Sequence, residues 1–109
     1  MTPRPIGPQV FQILLSLADD DRHGYAIIGD IRERTGGGMR LTASTLYAAL
    51  KRLLDQGWIE EIDAPASATD ARRRYYRLTR AGRDAGRAEA ARLDALAAMA
   101  RSRRWLPRR

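Results

Sequence analysis

Segment 42–57, TASTLYAALKRLLDQG, restricts the fold more than any other stretch of the chain. Placed at about 100° per residue, Ala43, Leu46, Ala49, Leu50, Leu53, Leu54 and Gly57 fall on one continuous arc. Ser44, Thr45, Tyr47, Ala48, Lys51, Arg52 and Asp55 fill the rest. The separation predicts a helix over 43–56 that packs by one face and presents hydroxyls, a phenol and two cations on the other. Thr42 stands where an N-cap belongs, its hydroxyl able to accept an orphan backbone N–H.

The residues C-terminal to this helix narrow the choice further. A short apolar strand, WIEEI over 58–62, and an arginine-rich return strand, RRRYYRL over 72–78, make a basic hairpin. Side chains alternate along a strand, so Tyr76 and Leu78 share one face, the core face, and Tyr75 and Arg77 the other. Upstream, Val10, Ile13, Leu14 and Leu17 fall at i, i+3, i+4 and i+7, one side of a helix over 9–18. Asp19, Asp20, Asp21 and Arg22 end it in a turn. A second helix begins near Gly24, with Tyr25, Ile27, Ile28 and Ile31 as its apolar surface, and Gly36, Gly37 and Gly38 stop it. Met39, Arg40 and Leu41 read as a short extended piece.

Thr79 caps a last helix running to about Arg101. If the first three helices close the domain, this one has no core left to pack on and requires a partner, most simply a second copy. Val10 and Leu14 with Ala90, Leu93, Leu96, Ala97 and Ala100 are the expected dimer contacts. The chain therefore divides into an arm with three prolines (1–8), a domain (9–79), a dimerisation helix (80–101) and a basic tail (102–109). The fold class is mainly α with a small β-hairpin.

Composition bears on the partner. Twenty basic against thirteen acidic side chains leave +7 on 109 residues, a surplus that favours a polyanion, nucleic acid or anionic lipid. Lys51 is the single lysine, and arginine's planar fork suits phosphate and guanine. A G+C-rich genome would also favour arginine and alanine, but it does not account for the net charge. Without cysteine there is no disulfide or thiolate metal site, which fits a reducing cytoplasm. No window approaches the about 20 apolar residues of a membrane span, so a cytoplasmic protein without membrane or cofactor is expected.

Enzyme chemistry finds little support. His23 is the only histidine, so neither a histidine relay nor a multi-histidine metal site can be built, and it reads as a turn residue positioning the second helix. Asp19, Asp20 and Asp21 read as a surface turn. The three glycines lack the Lys-Ser/Thr ending of a phosphate loop.

The motifs His23-Gly24-Tyr25-Ala26-Ile27, Thr45-Leu46-Tyr47 with Ala49-Leu50 and Arg52-Leu53, Gly57-Trp58-Ile59, and Arg73-Arg74-Tyr75-Tyr76-Arg77-Leu78-Thr79 with Gly82 closely resemble the PadR family of bacterial transcriptional regulators. The resemblance spans residues 10 to 82. It implies a winged helix-turn-helix domain, a dimer held largely by the C-terminal helix, and binding to palindromic operators, more often as a repressor. The single helix after the hairpin resembles the family's compact branch. Two departures stand out. Ala48 follows the tyrosine where the family commonly has proline, and Leu54 replaces an acidic residue.

On this reading Thr42, Ser44, Thr45 and Tyr47 face the major groove of double-stranded DNA, with Lys51 and Arg52 neutralising its backbone. Arg72, Arg73 and Arg74 at the hairpin tip reach the minor groove, although a charged edge that prevents sheet-to-sheet pairing would look the same. Two other readings stay open: a winged-helix module for protein–protein contacts, and anionic-membrane association through the basic tail. The resemblance also leaves room for a small-molecule effector of unknown identity between the dimer's helices.

Overall fold

The computed structural model describes residues 5–108, in the order α1 (Pro8–Ser16), β1 (Arg22–His23), α2 (Gly24–Arg34), α3 (Ala43–Asp55), β2 (Ile59–Ile62), β3 (Tyr75–Leu78) and α4 (Arg80–Ser102). Proline at the first helical position loses no hydrogen bond, so α1 takes in Pro8, which sequence alone left in the arm. Residues 1–4 of that arm lie outside the described residues. The other three helices are capped by side chains. His23 Nδ1 accepts from Ala26 N–H at 3.1 Å, Thr42 Oγ1 from Thr45 N–H at 3.2 Å and Thr79 Oγ1 from Gly82 N–H at 3.1 Å. At its far end α3 closes on Gly57, whose φ of +74° lets Trp58 N–H reach back to Leu53 O at 3.0 Å. Gly36 ends α2 in the same way, with Gly37 N–H on Arg32 O at 2.8 Å.

The hairpin is wider than its sequence suggested. A third strand joins it, giving the antiparallel order β1-β3-β2. Arg22 lies opposite Tyr76 and His23 opposite Tyr75, while Ile59 pairs with Leu78 and Ile62 with Tyr75. Arg22, read as part of a turn, is thus a strand residue. Two residues paired to a distant strand have no local periodicity to betray them. Met39, Arg40 and Leu41 form no strand; Thr35 Oγ1 accepts Met39 N–H at 3.0 Å and ties this link to the end of α2.

The core lies where α1, α2, α3 and the sheet meet. Ile13, Ile27, Ile31, Leu46, Leu50 and Leu53 are fully enclosed, and Tyr76 closes the sheet side. Leu14 corrects an expectation. It is 3% exposed inside its own chain's core, so it has no surface to offer a partner.

The packing of α4 corrects another. Its first half does find a core, lying along α1, where Glu89 accepts Ile6 N–H at 3.2 Å and Arg83 Nη2 reaches Ala18 O at 3.3 Å. The second half runs beyond the domain. The radius of gyration of 15.6 Å exceeds the about 13 Å of a compact domain of this length, as a projecting arm requires.

Candidate nucleic-acid interface

The polar face of α3 is turned outward, with Tyr47 alone reaching over to α2. Ser44, Thr45, Tyr47, Lys51 and Arg52 are all exposed, while Leu46, Ala49, Leu50 and Leu53 behind them are buried. Lys51 and Arg52 carry no salt bridge among the described residues, so both charges stand open to a polyanion. Thr42 is exposed but engaged. Its hydroxyl accepts from Thr45 N–H and donates to Thr45 Oγ1 at 2.9 Å. Thr42→Ala should therefore lower stability by about 1 kcal/mol, a fall in Tm of about 4–8 °C. Ser44→Ala, which removes no cap, should leave Tm in place; thermal denaturation followed by circular dichroism separates the two.

Tyr47 joins α3 to the start of α2. Its ring lies over Gly24 so closely that a Cβ there would stand 2.5 Å from the phenolic oxygen. Only glycine admits that approach. The phenol therefore sits at the junction of the two helices, still half-exposed.

The three hairpin arginines do not behave alike. They lie on the returning limb of loop 63–74, next to β3, rather than at its apex. Arg74 is paired with Glu61 across the hairpin. Arg73 turns back onto the domain, with Nη1 3.2 Å from His23 Nδ1 and its guanidinium 5.4 Å from the centre of the Tyr25 ring. Arg72 projects outward, its side chain 93% exposed, with one contact to Asp70 at 3.4 Å. Arg77 on β3 is held by Asp21 at 3.1 Å, which gives the aspartate run a structural use. Among the described residues no cluster of histidine and carboxylates is placed to hold a metal ion, and no helix is long and apolar enough to cross a membrane. Sequence reasoning missed Arg40 and Tyr25, both exposed beside this surface. Their positions, two residues before the α3 cap and within the first turn of α2, were the available signal.

A second surface runs along α4. Gly82, Gly86, Glu89, Leu93, Leu96 and Ala100 recur at i, i+4, i+7, i+11, i+14 and i+18, one helical stripe. Gly82 and Glu89 are buried under the domain, whereas Leu93 and Leu96, the next turns of the same stripe, are 39% and 47% exposed. Met99 and Trp105 are exposed as well. Beside the stripe an open groove of about 1000 Å³ is lined by Ile6, Val10, Leu53, Trp58, Ala88 and Arg92. A smaller groove of about 160 Å³ on the other side of the α1–α4 contact is lined by Leu15, Gly86 and Ala90. Val10 and Ala90, expected at one interface, thus border two grooves. Arg92, bonded to Glu89 at 2.6 Å, holds that carboxyl below the usual carboxylate range against the opposing effect of its burial.

A helix pair with an open polar face, flanked by a three-stranded sheet whose loop carries basic side chains, defines a winged-helix protein. The particular family is equally clear: residues 13–88 match the transcriptional regulator PadR-like family, and the chain belongs to it. An uncharacterised protein of Lysinibacillus sphaericus is 35% identical over 71 residues, which are 65% of this chain and 64% of that one. The chain thus matches just under two thirds of that relative's length. Among solved structures, a PadR family transcription regulator from Clostridium difficile superposes with a TM-score of 0.77 at 27% identity, covering 88% of this chain and 97% of the other. Bacillus subtilis PadR, solved with operator DNA, superposes with a TM-score of 0.61 at 28% identity, over 73% of this chain and 45% of its own.

Proposed function

We propose that the protein is a sequence-specific DNA-binding regulator acting as a homodimer on a near-palindromic operator. The exposed polar face of α3 carries this reading: it pairs groove-sized hydroxyls and a phenol with two unpaired cations. Helix α3 enters the major groove, with Ser44, Thr45 and Tyr47 toward base edges and Lys51 and Arg52 toward phosphates. Thr42 contributes by capping α3 as well as by its position. Of the wing arginines Arg72 is free to reach the neighbouring minor groove, while Arg73 and Arg74 are engaged within the fold. Bacillus subtilis PadR, a structural neighbour, has been solved in complex with operator DNA, which supports DNA as the partner.

The uncovered half of the α4 stripe supports the dimer. Leu93, Leu96, Ala97 and Ala100 meet their counterparts, and Val10 and Ala90 border the grooves that the partner's helix would cover. Two copies related by a twofold axis present their α3 helices about 34–36 Å apart, one turn of duplex. The resemblance to the PadR family, whose members are more often repressors, supports repression as its mode of action.

A fluorescence-anisotropy titration against random-sequence duplex at about 50 and 200 mM salt tests the reading. Binding should weaken steeply with salt, and Arg72→Ala should reduce the slope by about one. Binding that is absent or indifferent to salt would sink the proposal and leave a protein–protein module in its place.

A further inference from the structure

We propose that Arg73 is the positioning residue of the wing: docked on His23 and Tyr25, it fixes loop 63–74, and Arg72 with it, at a set distance from α3. The DNA part of this inference rests on the function proposed above; the latch itself does not.

The contacts form an unbroken chain. Asp70 accepts from Arg72 N–H at 3.0 Å and lies 3.9 Å from Arg73 Nε, while Arg73 N–H donates to Asp70 O at 3.2 Å. Arg73 Nη1 stands 3.2 and 3.4 Å from the two ring nitrogens of His23. His23 in turn meets Tyr75 edge-on at 5.3 Å and caps α2. Gly24, the next residue, lies under Tyr47 of α3. The wing is thereby tied through α2 to the helix that faces the groove. Of the three arginines Arg73 alone spans from the loop to α2, and its side chain is 42% exposed against 93% for Arg72. A side chain spent on a ring and a cap does not reach for phosphate.

The latch needs a neutral imidazole. Nδ1 accepts Ala26 N–H, and a proton on it would delete that cap and set a second cation against Arg73. The groups facing the ring are Arg73 from the loop, Tyr75 from β3 and Ala26 N–H from α2; Asp70 faces Arg73, and Tyr25 lies on the guanidinium's other contact. Burial, and then the Arg73 charge, lower the His23 pKa. A lowered folded value means the latch is complete above the ordinary imidazole range and is lost as pH falls through the lowered one.

His23→Asn keeps an N-cap acceptor and, near neutral pH, the net charge, but removes the ring. Hydrogen exchange of loop 63–74 in the intact protein, corrected for intrinsic rates, reads the latch without DNA. Both His23→Asn and Arg73→Ala should speed it about fivefold at about pH 7.5, the loss of one modest contact. Wild type should approach the same rate as the pH is lowered well below the ordinary imidazole range, with His23→Asn showing no such step. Against random duplex, His23→Asn should bind about three- to tenfold more weakly with an unchanged salt slope, which loss of a phosphate contact would not leave unchanged. Unaltered exchange in both variants overturns the latch. Faster exchange with unaltered duplex affinity overturns its positioning role. Wild type that fails to bind duplex in a salt-dependent way overturns the DNA reading and the positioning role with it, while exchange still decides the latch.

Discussion

Leu93→Asp combined with Leu96→Asp is expected to yield a folded monomer that binds duplex DNA about a hundredfold more weakly than wild type, the loss incurred when two linked half-sites become one. Both leucines lie on the part of the α4 stripe that its own domain leaves uncovered, at 39% and 47% exposure. Removing them from the separate chain therefore opens no cavity. In a dimer each leucine, already more than half covered by its own chain, would contribute about 1 kcal/mol by leaving water, and a carboxylate in its place would lose its own hydration as well. Sedimentation or light scattering reads the result directly. Wild type should weigh twice the 12.2 kDa of the chain and the double variant once that, with unchanged circular dichroism. A variant that stays dimeric would place the interface elsewhere on the molecule.

That the interface and the core are hard to separate in sequence is plain from α1. Val10, Ile13, Leu14 and Leu17 form one apolar face, and periodicity reports only that a face is apolar. Three of the four are buried in their own chain and Val10 is half-buried at a groove, so Leu14 belonged to the core all along. Helix α3 was legible for the opposite reason: cap, period and closing glycine all point to one answer, and its boundaries agree with those anticipated to within a residue. The resemblance to the PadR family, carried by short motifs on several elements, was likewise readable. The wing was legible as a basic hairpin but not in its detail. Arg73 and His23 stand fifty positions apart, and β1 exists only through pairing with β3. Such contacts are decided by how the elements pack, which no local pattern encodes.

Gly82 shows the same division between motif and cause, and its replacement carries the second large effect. Gly82→Ala should destabilise the protein by about 3 kcal/mol, the upper range for forcing atoms into packed space. A Cβ on Gly82 would fall 2.0 Å from Trp58 O and 2.9 Å from Leu78 Cδ1. The first is a backbone atom, so no rotamer change relieves the overlap. Nor is that carbonyl free to move, because it accepts Thr79 N–H at 3.1 Å while the Thr79 hydroxyl donates to Gly57 O at 2.6 Å and caps Gly82 N–H. The end of α3, the start of β2 and the first turn of α4 are thus fastened at one point, and an added methyl group must pry them apart. Thermal unfolding should show Tm lower by on the order of 10–20 °C. Because this joint sets the direction in which α4 leaves the domain, the variant should also dimerise more weakly at temperatures where it remains folded. Gly29→Ala is the control of opposite sign. Gly29 is an exposed residue inside α2 with nothing within 4 Å of an added Cβ, and alanine there should stabilise by about 0.5–1 kcal/mol through helix propensity. Equal Tm values for the two variants would mean that the close approach of α4 to Trp58 does not constrain the fold.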